Sequence, residues 1–191
     1  QYKKFIGNKY RVKWFINIDK ISQCTDESIE TEKKLIDQVK EYDYTIIKSD
    51  EPNFFIAVKT LLKLARNHIC DRSCILWLED DWIVKTDKTL EYFIDKFLQP
   101  MSYISLVYNN LGSFPPFIMG HKLANTYVNM FCEIHKPTVD PELISRRILR
   151  TVANHLGLTY YTYVEKIHML PKDNLINNGL IYSEAYLQCN N

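Results

Sequence analysis

The sequence predicts an α/β fold with a mixed, mostly parallel sheet that carries helices on both faces. Apolar runs typical of buried strands alternate with amphipathic stretches along the first part of the chain. Such alternation is typical of parallel sheets with crossover helices. Several of these runs end in carboxylates. The 191 residues suffice for one domain with a proper core, or for one domain plus a small appendage.

The first three predicted elements are a strand, a helix and a strand. Val12–Ile18 has the composition of a buried strand. Residues 25–28 supply capping groups and early acids for a helix. The apolar face of that helix begins at Ile29 and continues to Tyr42. Tyr44–Ile47 follows as a short second strand.

A second helix and a third strand complete the alternation. Pro52 suits the first turn of the helix, and apolar residues between Phe54 and Ala65 give it a broad buried face. Cys74–Leu78 is the third strand. Crossovers between parallel strands are right-handed almost without exception. In open sheets of this type, ligands bind at the carboxyl ends of the strands.

The remainder of the chain alternates less regularly. A helix through Phe97 is expected to begin at a cap formed by Thr86 or Asp87. The prolines beside the short strand Phe117–Met119 predict that this strand lies at a sheet edge. The other predicted elements are the strands Tyr103–Tyr108 and Leu158–Val164 and the helices His121–Phe131 and Pro141–His155.

Three consecutive carboxylates follow the third strand and directly precede the apolar run Trp82–Val84. We call Glu79, Asp80 and Asp81 the acidic triplet. Like charges held close together between apolar segments usually require a cation. An all-oxygen ligand set at a strand end suits a hard divalent ion such as Mg²⁺ or Mn²⁺. No histidine or cysteine, which zinc would prefer, stands next to the triplet.

Two further carboxylates are expected at the same edge of the sheet. Asp19 follows the first strand, and Asp50 comes shortly after the second. Either residue alone would be explained as a loop cap. Together with the acidic triplet, they place acid at the carboxyl ends of three strands, where open α/β sheets bind their ligands.

Composition argues against several classes of protein. The formal net charge is +1, and no basic stripe indicates a nucleic-acid partner or a membrane surface. No apolar run approaches the roughly 20 residues of a membrane helix. The five irregularly spaced cysteines and the absence of a glycosylation sequon predict free or buried thiols and a cytoplasmic location. Because the chain begins with Gln1, we expect a piece excised from a longer protein with further domains.

The segment LWLEDDW, residues 76–82, resembles the metal-binding motif, usually written D-x-D, of nucleotide-sugar glycosyltransferases with the GT-A fold, a Rossmann-type α/β architecture. Glu79 and Asp81 fill the two outer positions, and Glu79 departs from the commoner Asp. The resemblance implies that Asp81 binds the metal directly. It also implies that Glu79 or Asp80 contacts the ribose or a metal-bound water.

The order of elements over residues 12–168 also resembles this family. In the family the second strand often ends in an acidic residue that recognises uracil, and Asp50 matches by position. The resemblance implies that Lys59, on the helix before the motif, reaches nucleotide or phosphate, and that Asp19 helps to hold a UDP- or GDP-sugar. Many members use a late histidine as a further metal ligand. His168 is in the corresponding part of the chain, although a lone histidine is more often structural.

A second motif concerns the catalytic base. Inverting members carry an acidic base at a helix start and an arginine further along, and VDPELISRRILR resembles this arrangement. The resemblance aligns Asp140 with the base and Arg146 with the arginine. Val139 replaces the usual glutamate of the family, and Glu142 is a rival carboxylate. Asp140 before Pro141 is also a normal N-cap, so the base and cap interpretations both stay open.

The predicted function is a metal-dependent, inverting glycosyltransferase that moves a sugar from a nucleotide-diphosphate sugar to a glycan or glycoprotein acceptor. Residues 1–191 would form a single catalytic domain. One alternative is a two-metal nuclease or phosphoryl hydrolase, and another is a non-catalytic module that binds nucleotide or glycan. The Ile-, Lys-, Asn- and Tyr-rich composition favours a viral or low-GC microbial source. For a viral source, the expected location of the protein is the host cytoplasm.

Overall fold

The computed structural model describes residues 2–19, 26–49, 53–78, 82–106, 114, 116–135, 139–162 and 169–171. Its helices are α1 (Tyr2–Ile6), α2 (Asp26–Val39), α3 (Phe54–Arg66), α4 (Leu90–Phe97), α5 (His121–Glu133) and α6 (Pro141–Leu156). Its strands are β1 (Lys13–Asp19), β2 (Asp43–Ser49), β3 (Cys74–Trp77), β4 (Trp82–Val84), β5 (Ser102–Ser105), β6 (Phe117–Gly120), β7 (Thr159–Thr162) and β8 (Met169–Pro171). None of the described helices has both the length and the apolar character needed to cross a membrane.

The described strands form one four-stranded sheet and two strand pairs. In the four-stranded sheet the order is β3-β6-β5-β7. β6 runs antiparallel to both of its neighbours, whereas β5 and β7 are parallel. β1 and β2 form a parallel pair, and β4 and β8 form an antiparallel pair. The predicted mixed α/β fold is therefore confirmed, but three of the five pairings among the described strands are antiparallel, so these pairings are not mostly parallel as expected. Both antiparallel pairings of the four-stranded sheet involve β6.

Helices cover both faces of the four-stranded sheet, as predicted. On one face, Trp77, Tyr103 and Phe117 pack with α3, α5 and α6 in one hydrophobic cluster. On the other face, Ile104 and Ile118 pack with α1 and α4 in a second cluster. Neighbouring residues of one strand enter different clusters because successive side chains of a strand point to opposite faces. All four residues of β5 and of β6 are therefore buried.

β6 lies inside the sheet and not at its edge. It pairs with β3 on one side and with β5 on the other. The edge prediction is wrong because Pro116 precedes the first paired residue, Phe117, and so removes no N–H group from the ladder. The carbonyl of Pro116 accepts a hydrogen bond from the N–H of Leu106 at 2.9 Å.

The start of α4 also differs from the prediction. The helix begins at Leu90 with Thr89 as its N-cap residue, so the predicted cap at Thr86 or Asp87 is wrong. The Thr86 hydroxyl instead accepts a hydrogen bond from the N–H of Lys88 at 3.0 Å. Hydroxyl side chains compete in this way for nearby backbone groups, and such local turns look like caps in a sequence.

α2 ends earlier than its apolar pattern predicts. The helix ends at Val39, and a turn follows in which the N–H of Tyr42 donates to the Val39 carbonyl at 2.9 Å. The Tyr42 ring contacts Trp14 of β1, with 6.2 Å between the ring centroids. Ile29 is 56% exposed. The buried face of α2 is therefore shorter at both ends than the pattern predicts.

Gly120, the last residue of β6, has no room for a side chain. A β-carbon at this position would lie 1.9 Å from the carbonyl oxygen of Gln99 and 2.8 Å from that of Pro100. Both atoms belong to the backbone, and the Pro100 carbonyl also accepts the N–H of Leu123 at 3.0 Å. We expect Gly120→Ala to lower the free energy of unfolding by about 3 kcal/mol, measured by urea denaturation. Lys122→Ala, at an exposed position nearby, is the control, and equal unfolding midpoints for the two variants would contradict the expectation.

Candidate functional site

Polar side chains meet at the carboxyl edge of the parallel pair β1–β2. β1 ends at Asp19, as predicted, and the register sets Asp19 opposite Ser49, the last residue of β2. The Ser49 hydroxyl donates a hydrogen bond to Oδ1 of Asn17 at 2.9 Å. Asp50 follows Ser49 in the sequence and lies outside the described residues. The nucleotide-binding roles of Asp19 and Asp50 stay predictions.

The end of β3 is anchored in the hydrophobic core. Its last residue, Trp77, is 9% exposed and stacks on Phe117, with 6.1 Å between the ring centroids. This contact holds the chain shortly before the acidic triplet, which lies outside the described residues. Within the described ranges, no group of three or more His, Cys, Asp or Glu residues could hold a metal ion. The metal site therefore stays a prediction.

The pairing of β4 with β8 brings a late part of the chain beside the strand that follows the triplet. In this register Trp82 pairs with Pro171, and Val84 pairs with Met169. His168 precedes Met169 in the sequence and lies outside the described residues. The residue paired nearest to the triplet is thus Pro171, whereas the sequence neighbour of His168 pairs with the far end of β4. The role of His168 as a metal ligand stays a prediction.

The two predicted catalytic carboxylates lie at the start of α6. Oδ1 of Asp140 accepts a hydrogen bond from the N–H of Leu143 at 2.9 Å, and Pro141 is at the first helical position. Asp140 is therefore the N-cap of the helix. Glu142 pairs with Arg146 one turn further on, with 3.4 Å between Oε2 and Nη2. Both carboxylates are exposed and accessible to a ligand, and their role as base stays a prediction.

The side chain of Lys59 contacts the C-terminal end of α5. Its ammonium group donates a hydrogen bond to the carbonyl of Ile134, the C-cap residue of α5, and lies 5.7 Å from the centroid of the Phe55 ring. A cation is favourable there because the C-terminal end of a helix carries partial negative charge. The role of Lys59 in contacting a nucleotide stays a prediction.

Cysteines do not add metal ligands to the described part of the site. Cys70, Cys74 and Cys132 are free. Burial raises the pKa of Cys74 to about 11, so this thiol is protonated at neutral pH and packs as an apolar side chain of β3. These three residues agree with the prediction of free or buried thiols.

Asn17 and Ser49 are candidates that sequence reasoning did not select. Neither side chain is charged, and neither belongs to a motif. One signal was available, because Asn17 interrupts the apolar run of the first strand two residues before Asp19. The parallel register between β1 and β2, which makes Ser49 its partner, is a property of the folded chain.

Comparisons with known proteins find little similarity in sequence. No family model matches the chain, and no curated protein matches it. One of the similar solved structures is the crystal structure of a glycosyltransferase involved in the glycosylation of the major capsid of PBCV-1. The two chains are 14% identical, and the match covers 78% of this chain and 80% of that chain with a TM-score of 0.41. At this TM-score the similarity does not establish a shared fold or activity.

Proposed function

We propose that the chain is a metal-dependent glycosyltransferase domain that transfers a sugar from a nucleotide-diphosphate sugar to an acceptor hydroxyl. The observation that carries the proposal is the placement of acid at strand ends. β1 ends at Asp19 beside Ser49, which precedes Asp50, and β3 ends shortly before the acidic triplet. Open α/β sheets bind ligands at such ends, and the resemblance of the triplet to the D-x-D motif supplies the reaction class.

The donor set of the acidic triplet fits a hard divalent cation, because its side-chain donors are all carboxylate oxygens. Asp81 and Glu79 would hold Mn²⁺ or Mg²⁺, and His168 is retained as a further ligand. Asp80 would face the ribose, and Asp50 would contact the base. When bound, the cation supplies positive charge that offsets the negative charge of the departing diphosphate.

The acceptor needs a base, and the start of α6 supplies two carboxylates. The base takes the proton of the acceptor hydroxyl while the hydroxyl oxygen bonds to the anomeric carbon and the bond to the diphosphate breaks. Attack opposite the leaving group inverts the anomeric centre. Asp140 is placed first as the base because it is the residue that the resemblance aligns with the family's base, and Glu142, which pairs with Arg146, is placed second.

A screen of nucleotides and nucleotide-sugars tests the proposal. UDP, GDP and their sugar conjugates are added with and without Mn²⁺, and the melting temperature is measured. A nucleotide at 100 times its Kd should add about 2.7 kcal/mol to the free energy of unfolding. For a domain of this size, that corresponds to a rise of about 5–10 °C. Donor hydrolysis in Mn²⁺ without acceptor, followed by liquid chromatography, should accompany the stabilisation.

The other outcomes separate the alternatives. Binding without hydrolysis or transfer would indicate a non-catalytic nucleotide-binding module. Metal-dependent cleavage of nucleic acid or of phosphate esters without sugar transfer would indicate a phosphoryl hydrolase. No stabilisation by any nucleotide in Mn²⁺ would contradict the proposal.

A further inference from the structure

Helix α3 carries a row of positively charged side chains without acidic partners. Lys59, Lys63 and Arg66 are spaced so that they share one face of the helix, and we call them the α3 cation stripe. The helix contains no carboxylate. None of the ion pairs within the described part of the chain includes a member of the stripe. In α2, by contrast, Lys34 pairs with Glu30 of the same helix.

The three charges of the stripe lie close enough together to act on one group, the thiol of Cys132 on α5. Burial raises the pKa of Cys132, and the positive charges of Lys63, Lys59 and Arg66 each oppose that rise. Lys59 donates a hydrogen bond to Ile134 at the end of α5, whereas Lys63 and Arg66 are exposed. The helix dipole favours cations near helix C-termini, but it leaves the charged groups of Lys63 and Arg66 open to a ligand.

We infer that the α3 cation stripe is a docking surface for an extended acidic segment of a partner protein. Carboxylates on alternate residues of an extended chain lie about 6.6 Å apart, since each residue advances the chain by about 3.3 Å. Residues three and four apart on a helix have β-carbons about 5–6 Å apart, and long side chains span the remaining difference. The guanidinium of Arg66 can also bind a single carboxylate through two parallel hydrogen bonds.

The size of the stripe favours a peptide over a nucleic acid. Proteins that bind nucleic acid commonly contact about six to ten phosphates, whereas the stripe offers three cations and the formal net charge of the chain is +1. An exposed ion pair strengthens binding by up to about fivefold in Kd. The interaction should therefore be weak, reversible and sensitive to salt. It depends neither on the nucleotide nor on the metal of the proposed function.

Fluorescence anisotropy with a labelled peptide of alternating glutamate and serine, without nucleotide or metal, tests the inference. The double variant Lys63→Gln, Arg66→Gln should bind the peptide about five- to twentyfold more weakly than the unmodified protein. The double variant Lys63→Arg, Arg66→Lys keeps both charges and should bind within about threefold. Affinity should also fall as the ionic strength rises from about 0.01 M to about 0.15 M, because the Debye length shrinks from about 30 Å to about 8 Å.

A matched control removes the same two charge types elsewhere. Lys4 and Arg11 are exposed, and neither belongs to an ion pair of the described ranges. Lys4 is on α1, which packs on the opposite face of the four-stranded sheet from α3. Arg11 follows Tyr10, whose hydroxyl contacts α4 on that same opposite face. The double variant Lys4→Gln, Arg11→Gln should leave the Kd within about twofold at about 0.15 M ionic strength, where distant exposed charges are screened.

Four outcomes would overturn the inference. The first is that the unmodified protein does not bind the peptide at low ionic strength. The second is an equal loss of binding in the control variant, and the third is an equal loss in Lys63→Arg, Arg66→Lys. The fourth is tighter binding of a single-stranded oligonucleotide of equal charge, lost in Lys63→Gln, Arg66→Gln, which would assign the stripe to nucleic acid. Failure to bind any nucleotide in Mn²⁺ would contradict the proposed function and not this inference.

Discussion

Replacement of Asp81 by Asn is expected to abolish metal-dependent nucleotide binding while leaving the fold intact. Asp81 is the proposed direct ligand of the cation, and a neutral amide oxygen is a much weaker ligand for Mg²⁺ or Mn²⁺ than a carboxylate. Because the cation links the protein to the diphosphate, the Kd of UDP in Mn²⁺ should rise by more than about 100-fold. Calorimetry with and without the metal measures the change.

The stability of the metal-free protein gives an independent readout. Removal of one of three adjacent like charges relieves repulsion, so the melting temperature of Asp81→Asn without metal should hold or rise. Asp87→Asn is the matched control, because Asp87 is a nearby carboxylate whose side chain is 88% exposed. Unchanged UDP affinity in Asp81→Asn, or an equal loss in Asp87→Asn, would contradict the proposed metal site.

The second expectation is that Asp140→Asn loses sugar transfer by about two to four orders of magnitude while nucleotide binding stays nearly unchanged. A general base contributes roughly that factor to the rate, and an amide cannot take up the proton. The stability of α6 should stay unchanged, because Asn caps helices about as well as Asp. The cap bond to the N–H of Leu143 can still form through the amide oxygen, so the melting temperature should stay within a few degrees.

Two further variants distinguish the role of Asp140 as a catalytic base from its role as a helix cap. Asp140→Ala removes both functions and should also lower the free energy of unfolding by about 1 kcal/mol. Glu142→Gln should retain most of the transfer activity if Asp140 is the base. Near-normal turnover in Asp140→Asn would leave Asp140 as a cap and assign the base to Glu142. A product with retained anomeric configuration, seen by NMR, would contradict the inverting assignment for either carboxylate.

Much of the fold was predictable because the relevant signals are local. β1 and β3 are found close to their predicted bounds, since runs of apolar and β-branched residues are typical of buried strands. The end of β1 at Asp19 was predicted in the same way. The short elements α1 and β4 were not predicted, because five or three residues show too little periodicity to be distinguished from a loop.

Some features of the candidate site were likewise predictable from the sequence, and others were not. Acidic residues after strands are visible in the sequence, and so is the helix start before Pro141. The engagement of Lys59 with Ile134 was not visible, because those residues are far apart in the chain and meet only where α3 packs against α5. The bond between Asn17 and Ser49 depends on a register between two strands, which no single segment encodes.

The sequence by itself therefore determined the α/β class, the approximate bounds of the longer elements and the identity of the acidic groups at strand ends. Only the tertiary structure decided that β6 lies between β3 and β5, that β8 pairs with β4, and which polar groups meet at the edge of β1–β2. The physical reason is the range of the interactions. Burial and capping preferences act over a few neighbouring residues, whereas strand order and register follow from the packing of both sheet faces against helices distant in sequence.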